Sequence, residues 1–352
     1  MGKSNFDVYK SEGVKRPTIS DVARTAGVSK TTISRFLNGN VEVLAEGTRQ
    51  KIVRAIADLQ YQPSRTARSL KDGRSFLIGM IVADITNPYT TAILRGAENI
   101  CKPNGYSLLV CNTDNDPLKE RDYIFMLQSH QIDGLIIATT GHNNEFLERL
   151  AGNEIPVVLV DRKIPELHFD TVSVDNQTAT QQALFYLLDQ GYERIAFFTE
   201  PVYGVSSREE RMSAFQAVLR SYGHPSVADV FQVNLKNPVE LEASLRGFLE
   251  SSAGYHRIVF AVNAVMLLHI ELLAQQLGIQ IPKDLSLIGF DNPDWAPLLG
   301  ITVIAQPTYQ IGVTAMERVL LRLQQGPLRP SDFRLPGTLI VRDSTPGQVR
   351  GG

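Results

Sequence analysis

The chain has 352 residues, a formal net charge of −2, 43% hydrophobic residues and 20% charged residues. This composition is typical of a folded protein of two or three domains and excludes a disordered chain. No apolar run approaches the roughly 20 residues of a membrane-spanning helix, and residues 1–15 lack the apolar stretch of a signal peptide. Cys101 and Cys111 fit neither a disulfide framework nor a CxxC site. We therefore expect a cytoplasmic protein without a membrane partner.

The charge is unevenly distributed along the chain. Residues 1–75 carry fourteen lysines and arginines against seven aspartates and glutamates, a net charge of +7, whereas the remainder carries twenty-one against thirty, a net charge of −9. A basic N-terminal region on an acidic body indicates that this region binds a polyanion. A solvated basic surface without a partner explains the charge equally well.

The basic region begins with the pattern of two short helices joined by a tight turn. Thr18 and Asp21 form a T-x-x-D capping pattern, and Gly27 can end the first helix in the left-handed conformation. Ser29 is the N-cap of a second helix from Lys30 to Leu37. Its inward positions are Ile33 and Leu37, and its outward positions are Lys30, Thr31, Ser34 and Arg35. This pattern predicts a helix-turn-helix whose second helix enters the major groove of DNA.

A third helix is predicted from Glu46 to Leu59. Its expected buried stripe is Ile52, Val53, Ile56 and Leu59. Pro63 stops this helix, and a further short helix follows over residues 64–71. Because that helix has only Ala67 and Leu70 to bury, we expect it to fold when it binds DNA.

The order and spacing of these residues resemble the DNA-binding head and hinge of the lac repressor family. The matching segments are Arg16–Ala23, Ala26–Ser29, Thr32–Arg35, Leu37–Gly39, Tyr61–Ser64 and Ala67–Leu70. The resemblance implies a head over residues 16–62 and a hinge helix with linker over 63–74, after a disordered extension at 1–15. An ordinary helical bundle is the alternative.

The outward helix face and the resemblance together assign the DNA contacts. The expected residues are Thr18, Ser29, Lys30, Thr31, Thr32, Ser34, Arg35, Asn38, Tyr61, Ala67, Arg68, Leu70 and Lys71. The resemblance places Leu70 in the minor groove, near the centre of a palindromic operator.

From Phe76 onward, apolar runs alternate with amphipathic stretches. Strands are predicted at Phe76–Val82, Ser107–Val110, Gly134–Ala138, Val157–Val160, Arg194–Phe198, Arg257–Phe260 and Leu285–Phe290. Such runs are typical of parallel strands covered on both faces, and stretches such as Tyr89–Asn104 and Gln177–Gln190 predict the covering helices. Repeated βα units imply doubly wound α/β sheets, in which ligands bind beyond the carboxyl ends of the strands.

Polar residues directly follow most of these strands. They are Asn87, Tyr89, Asp161, Arg162, Ser207, Arg211, Asn263 and Asp291, with Gln306 after the apolar run at 301–305. Carboxylate and amide acceptors, arginine donors and an aromatic face suit a polyhydroxylated ligand. Taken singly, the Asp and Asn residues could cap the next helix, and Arg211 could form a surface ion pair.

The body resembles the periplasmic ribose-binding proteins, whose fold the lac repressor family shares. The matching segments are Asn87–Tyr89, Ile155–Arg162 and Ile288–Asp291. The resemblance implies a two-lobed ligand-binding and dimerisation domain over residues 75–343, with the residues above facing the cleft. One lobe would contain 76–173 and a segment near 305–333, and the other 174–304 and the C-terminal strand. Asn263-Ala264 departs from the family's usual Asn-Asp, and residues 344–352 are expected to be a mobile tail.

The two cleft arginines favour a sugar acid as the effector. A neutral sugar can use Arg162 and Arg211, but a carboxylate pairs with arginine more strongly through charge-assisted, bidentate bonds. The run Gly289–Pro297 also resembles ketogluconate-responsive regulators within the family. The only tryptophan, Trp295, either borders the cleft or packs in the core.

Signatures of catalysis are missing from the sequence. It has no glycine-rich phosphate loop, HExxH or G-x-S-x-G motif, and its six histidines are scattered, so we expect no enzyme, cofactor or metal. The prediction is a ligand-responsive transcriptional repressor that binds operator DNA as a homodimer, with a higher oligomer possible. A sugar-binding protein without DNA function and an enzyme acting on a sugar derivative are the alternatives; salt-dependent operator binding distinguishes them from a regulator.

Overall fold

The computed structural model describes residues 17–37, 42–61, 73–152, 155–164 and 168–347. They form two compact units that divide between Ser75 and Phe76. Several predictions fall outside the described residues. These are the extension at 1–15, the short hinge helix over residues 64–71, and the DNA contacts of Asn38, Ala67, Arg68, Leu70 and Lys71.

The first unit is a three-helix head with the predicted caps. Its helices are α1 (Ile19–Ala26), α2 (Lys30–Leu37) and α3 (Glu46–Asp58). Thr18 and Asp21 form the capping box of α1, in which the Thr18 N–H donates to the Asp21 carboxylate at 2.9 Å. Gly27 ends α1 at φ +67°, and the Ser29 hydroxyl accepts the Thr32 N–H at the start of α2.

The core of the head lies where the three helices meet. Its buried residues are Val22, Ala23, Ala26, Ile33, Ile52, Ala55 and Tyr61. The expected burial of Val53 is wrong, because this side chain is 53% exposed and Ala55 is buried instead. Ile52, Ala55, Ile56 and Leu59 follow the i, i+3, i+4, i+7 spacing of one helix face, and Val53 lies about 100° away from Ile52.

The second unit has two α/β lobes, each built on a six-stranded sheet. Its strands are β1 (Leu77–Val82), β2 (Ser107–Asn112), β3 (Gly134–Ile137), β4 (Val157–Val160), β5 (Asp170–Val174), β6 (Arg194–Thr199), β7 (Val230–Gln232), β8 (Arg257–Ala261), β9 (Ser286–Phe290), β10 (Thr302–Ala305), β11 (Asp332–Leu335) and β12 (Thr338–Ile340). Its α-helices are α4 (Pro88–Cys101), α5 (Pro117–Ser129), α6 (Asn144–Gly152), α7 (Asn176–Asp189), α8 (Ser206–Ser221), α9 (Pro238–Ser251), α10 (Ala264–Leu277) and α11 (Thr308–Gln325).

The predicted doubly wound body is confirmed by the strand order. The first lobe has the order β11-β5-β4-β3-β1-β2 and the second β12-β10-β9-β8-β6-β7, and every pairing is parallel except β10 with β12. The chain crosses between the lobes after β5, β10 and β11. These crossings bring the carboxyl ends of strands from both sheets to one cleft.

Strand β5 was not among the predicted strands, and its first residue is charged. Asp170 is fully buried, yet it accepts hydrogen bonds from the guanidinium groups of Arg318 and Arg322 on α11 and from the Ser331 N–H. Burial acts to raise the pKa of this carboxyl, but the three donors outweigh it and lower the pKa. The charge on β5 is thus compensated by residues distant in sequence.

Helices α4 and α11 touch backbone to backbone. A Cβ at Gly312 would lie 1.9 Å from the carbonyl oxygen of Ile93, and a Cβ at Gly96 would lie 2.1 Å from that of Tyr309. Only glycine permits this approach. Because α4 starts beside Asn87 and α11 follows Gln306, the contact sets the position of two predicted site residues relative to each other.

The predicted mobile tail is wrong for its first three residues. Ser344 and Thr345 are buried, and the Ser344 hydroxyl donates to the Leu287 carbonyl. The Tyr192 hydroxyl donates to the Pro346 carbonyl at 3.1 Å. Residues 348–352 of the predicted tail lie outside the described residues.

Candidate functional site

A cleft between the lobes contains nine of the ten residues that the sequence assigns to ligand binding. A cavity of about 140 Å³ is lined by Asn87, Tyr89, Asp161, Arg162, Ser207, Arg211, Asn263, Asp291 and Gln306. The tenth residue, Trp295, lines an adjoining cavity of about 640 Å³, which shares Tyr89, Asp291 and Gln306 with the first. Trp295 also packs against the core of the second lobe, so it has both of the roles that the sequence left open.

Two aspartates occupy corresponding places in the two lobes. Asp161 directly follows β4 and Asp291 directly follows β9, and both adopt positive φ angles, +64° and +76°. Such angles are unfavourable for a non-glycine residue and are found preferentially at functional sites. Asp161 accepts hydrogen bonds from the Tyr89 hydroxyl at 3.1 Å and the Ser207 hydroxyl at 3.4 Å. Both carboxylates thus present acceptor oxygens to the cavity.

The two asparagines of the site also cap helices. The Asn87 side-chain oxygen accepts the Tyr89 N–H at 3.0 Å, and that of Asn263 accepts the Met266 N–H at 2.9 Å. Each of these asparagines therefore both caps a helix and lines the cavity. At the unusual Ala264, the N–H donates to the Asp291 carboxylate at 2.9 Å, so the departure from the family pattern leaves the start of α10 intact.

Arg211 is buried, so the alternative of a surface ion pair is wrong. Its side chain lies on the same face of α8 as Ser207, one turn earlier, and is only 4% exposed as a residue. The guanidinium donates to the Asn176 side-chain oxygen and to the Val262 carbonyl, each at 2.7 Å. It also lies 3.8 Å above the Phe290 ring, which fixes its orientation.

Arg162 is a buried cation with an unused donor. One terminal nitrogen donates to the Thr139 carbonyl at 3.2 Å and the other to the Asn115 side-chain oxygen at 2.6 Å, while Nε has no hydrogen-bond partner. Burial lowers the pKa of this guanidinium. The fully buried Glu120 carboxylate accepts the Thr140 N–H at 2.6 Å and so anchors the loop that holds Arg162.

Sequence reasoning missed an ion pair in the same cavity. Arg208 donates to the Glu200 carboxylate at 2.7 Å, and the Asn263 amide donates to both oxygens of that carboxylate at 3.1 and 3.2 Å. Glu200 directly follows β6. The expectation that polar residues at strand ends lie at the ligand site, which identified Asp161, therefore applies to Glu200 as well. Arg208 precedes Arg211 by three residues on the same helix, a spacing that places both side chains on one face.

The cavity shifts the pKa of two groups upward. Burial raises the pKa of the Tyr89 hydroxyl well above its usual value, and the negative charge of Asp161 raises it further. Burial also raises the pKa of the Asp291 carboxyl, although Arg211, the Ala264 N–H and the Gln306 amide oppose the shift. The Tyr89 hydroxyl therefore stays neutral and can donate a hydrogen bond. Ionisation of the Asp291 carboxyl, in contrast, destabilises the folded protein.

We expect Asp291→Asn to raise the midpoint of thermal unfolding by about 2–4 °C at pH 7. The folded-state pKa of Asp291 is raised, so the carboxyl destabilises the fold increasingly as pH rises above its unfolded value near 3.8. Asparagine also tolerates the positive φ, and its oxygen can accept the Ala264 N–H. Unfolding scans from pH 3.5 to 8 should show the difference growing above pH 3.8 and becoming constant once the pH exceeds the raised folded-state pKa. A lower midpoint for the variant at pH 7 would contradict this account.

The head presents a polar surface on α2. Thr18, Ser29, Lys30, Thr31 and Arg35 are exposed, and Thr32 and Ser34 are half-buried. Tyr61 is only 8% exposed and packs in the core of the head, where burial raises the pKa of its hydroxyl. Tyr61 thus has a packing role in the head, and its contact with DNA stays a prediction.

Within the described ranges, Cys101 and Cys111 are both buried and free. No cluster of three or more His, Cys, Asp or Glu side chains suited to a metal occurs in those ranges. Among the helices of the described residues, none is long and apolar enough to cross a membrane.

Two family models match the chain. Residues 18–64 match the model of bacterial regulatory proteins of the lacI family, and residues 184–345 match a periplasmic binding protein-like domain. Among solved structures, a LacI family transcriptional regulator from Enterococcus faecium with bound ribose is 28% identical, with a TM-score of 0.68. The match covers 77% of this chain and 99% of that one.

Relatives with assigned names match over nearly their whole length. The chain is 40% identical to the HTH-type transcriptional regulator KdgR of Bacillus subtilis over 337 residues, which cover 95% of this chain and 99% of KdgR. It is 44% identical to the HTH-type transcriptional regulator PtxS of Pseudomonas aeruginosa over 345 residues, which cover 97% and 98% of the two chains. The chain thus belongs to the lacI family of bacterial regulatory proteins and is a ligand-responsive, DNA-binding transcriptional regulator.

Proposed function

We propose that this regulator represses a sugar-acid catabolic operon and responds to a sugar acid of the ketogluconate type. The observation that carries the proposal is the lining of one cavity by Arg162, Arg208 and Arg211 together with hydroxyl-binding groups such as Asp161 and Asp291. Carboxylates and amides suit the hydroxyls of a sugar, and arginines suit its carboxylate. The resemblance of Gly289–Pro297 to ketogluconate-responsive regulators also supports the acid.

A neutral sugar is the second candidate. The related Enterococcus faecium regulator has ribose bound, and neutral sugars also use arginine and carboxylate groups. The buried Arg162 favours the acid, because its Nε has no acceptor within the protein. A ligand carboxylate is an acceptor that bonds to a guanidinium more strongly than a neutral hydroxyl does.

Titration with a matched pair of ligands tests the effector class. We expect 2-ketogluconate to bind saturably and fructose, which carries a hydroxymethyl group in place of the carboxylate, to bind at least about 10-fold more weakly. Isothermal calorimetry measures both affinities, and the fluorescence of Trp295 follows binding because it borders the adjoining cavity. Tight binding of a neutral sugar without a response to any sugar acid would contradict the proposal.

For the DNA interface, we propose that the exposed face of α2 reads base edges in the major groove. Thr31→Ala should change the preferred base at one position of each half-site, since a lost base contact costs about 1–3 kcal/mol of discrimination. Selection of binding sites from a random DNA library measures this preference. Val53→Ala, at an exposed position on α3, is the control and should select the wild-type motif. An unchanged motif for Thr31→Ala would show that Thr31 does not read bases.

The assembly and the remaining DNA contacts complete the proposal. We place the protein in the cytoplasm as a homodimer whose two heads bind a palindromic operator. The hinge residues Ala67, Arg68, Leu70 and Lys71, together with Asn38, are proposed to contact DNA, with Leu70 wedged into the minor groove. Salt-dependent operator binding by the full chain tests this arrangement against a sugar-binding protein without DNA function.

A further inference from the structure

We propose that Arg208 and Arg162 together bind the carboxylate of the effector, and that Glu200 competes with the effector for Arg208. This inference rests on the proposed sugar-acid effector and names the part of the cavity that recognises the acid. The hydroxyls of the effector would then bind other polar groups that line the cavity, such as Asp291 and Gln306.

Arg211 has the plane of its guanidinium fixed by an aromatic ring as well as by hydrogen bonds. Two of its nitrogens donate to Asn176 and Val262, and its plane lies against the Phe290 ring. A guanidinium held in this way has little freedom to form a bidentate pair with a ligand.

Arg162 offers a donor that the protein leaves unused. The residue is 6% exposed, lines the cavity, and has an Nε without a hydrogen-bond partner. Asp161 forms an ion pair with Arg162, but its Oδ2 lies 3.8 Å from Nε, too far for a hydrogen bond. Each terminal nitrogen has one partner, Thr139 or Asn115, and keeps a second N–H, so the guanidinium has N–H groups left for a ligand.

Arg208 faces the same cavity from the second lobe. It donates to the Pro201 carbonyl at 3.0 Å and to the Glu200 carboxylate at 2.7 Å. Glu200 is held in turn by the Asn263 amide, so a protein carboxylate sits between two donors that suit a ligand carboxylate. Glu200 is thus a carboxylate of the protein that pairs with Arg208, and a ligand carboxylate would compete with it.

The charge of Arg208 acts on Arg162 across the cavity. Burial lowers the pKa of Arg162, and the positive charge of Arg208 lowers it further, while Asp161, Glu120 and Glu200 oppose the shift. Two cations from opposite lobes therefore act on one another across the cavity. A carboxylate bound between them relieves their repulsion and ties the lobes together, which no neutral hydroxymethyl group can do.

Two substitutions test the inference with 2-ketogluconate and fructose as probes. Arg208→Ala should weaken binding of the acid about 10–100-fold and change fructose binding less than about 3-fold. Glu200→Gln preserves the shape of the side chain but removes the competing charge, so it should strengthen binding of the acid about 3–10-fold. Arg220→Ala, at an exposed position of α8, is the matched control and should leave both affinities unchanged.

Each result has a defined meaning when calorimetry is done on the full chain and folding is checked by thermal unfolding. Equal losses for both probes in Arg208→Ala, or weaker acid binding in Glu200→Gln, would overturn the inference while leaving the effector class standing. Glu200→Gln also keeps the test valid if Arg208→Ala does not fold. A wild-type protein that binds fructose but no sugar acid would overturn the effector class, and this inference with it.

Discussion

Replacing Gly312 with alanine should lower the free energy of unfolding of the body by about 3 kcal/mol or prevent its folding. The new Cβ would lie 1.9 Å from the carbonyl oxygen of Ile93, and a backbone atom in a helix cannot move aside as the end of a side chain can. Relief requires α4 and α11 to separate along their contact. Urea unfolding of the wild type and the variant measures the loss.

Gly247→Ala is the matched control for this substitution. Gly247 also lies inside a helix, α9, but no atom lies within 4 Å of its added Cβ. Alanine should therefore stabilise the protein by about 0.5–1 kcal/mol, because it restricts the unfolded chain and favours the helix. If Gly312→Ala unfolds at the same urea concentration as the wild type, the close contact between α4 and α11 is wrong.

Glu210→Gln should destabilise the body by about 1–3 kcal/mol at pH 7, between the values typical of exposed and buried ion pairs. Glu210, on α8 of the second lobe, accepts hydrogen bonds from Arg334 at 3.0 and 3.1 Å and forms an ion pair with Lys163 at 2.7 Å. Both cations belong to the first lobe. Glu210 also accepts from Asn176 at 2.9 Å, which holds Arg211, so effector affinity should fall as well.

The pH dependence of this effect identifies the charge as its cause. Burial acts to raise the pKa of Glu210, but hydrogen bonds from Arg334, Lys163 and Asn176 outweigh it and lower the pKa below the usual 4.5. The wild-type advantage is therefore fully present above pH 4.5 and is lost as pH falls through the lowered folded-state pKa. Thermal unfolding between pH 3 and 7 measures this loss.

The control for Glu210 is a pair on the surface. Glu242→Gln removes an exposed contact with Arg246 at 2.8 Å on α9 and should change stability by less than about 0.5 kcal/mol at any pH in the range. Equal effects of Glu210→Gln and Glu242→Gln would show that the contact between the lobes contributes no more than a surface ion pair.

Local sequence patterns were sufficient wherever the decisive interactions are short in range. The capping box of Thr18 and Asp21 and the glycine that ends α1 involve residues a few positions apart, and each appears in the structure as expected. Strand ends were equally informative, because parallel strands deliver the residues that follow them to one edge of a sheet. That topological rule is why nine of ten expected ligand-binding residues line one cavity.

Patterns failed where the environment of a residue is created by distant parts of the chain. A charged residue such as Asp170 is not expected in a buried strand. Two arginines of α11, about 150 positions away, compensate its charge. Ser344 and Thr345 resembled a mobile tail, but β9 and β10 give their hydroxyl groups buried partners. The residues next to Asp170, Ser344 and Thr345 in the sequence do not indicate these partners.

The sequence by itself determined the helix-turn-helix, the alternation of strands and helices in doubly wound sheets and most of the polar residues in the cleft, because periodicity, caps and strand ends are local properties. Only the tertiary structure decided that Arg211 is oriented by Asn176 and Phe290, that Arg162 has an unused donor, and that Glu200 and Arg208 share the cavity. The packing of two lobes sets these burials and hydrogen bonds, and burial determines whether a charge is solvated or available to a ligand.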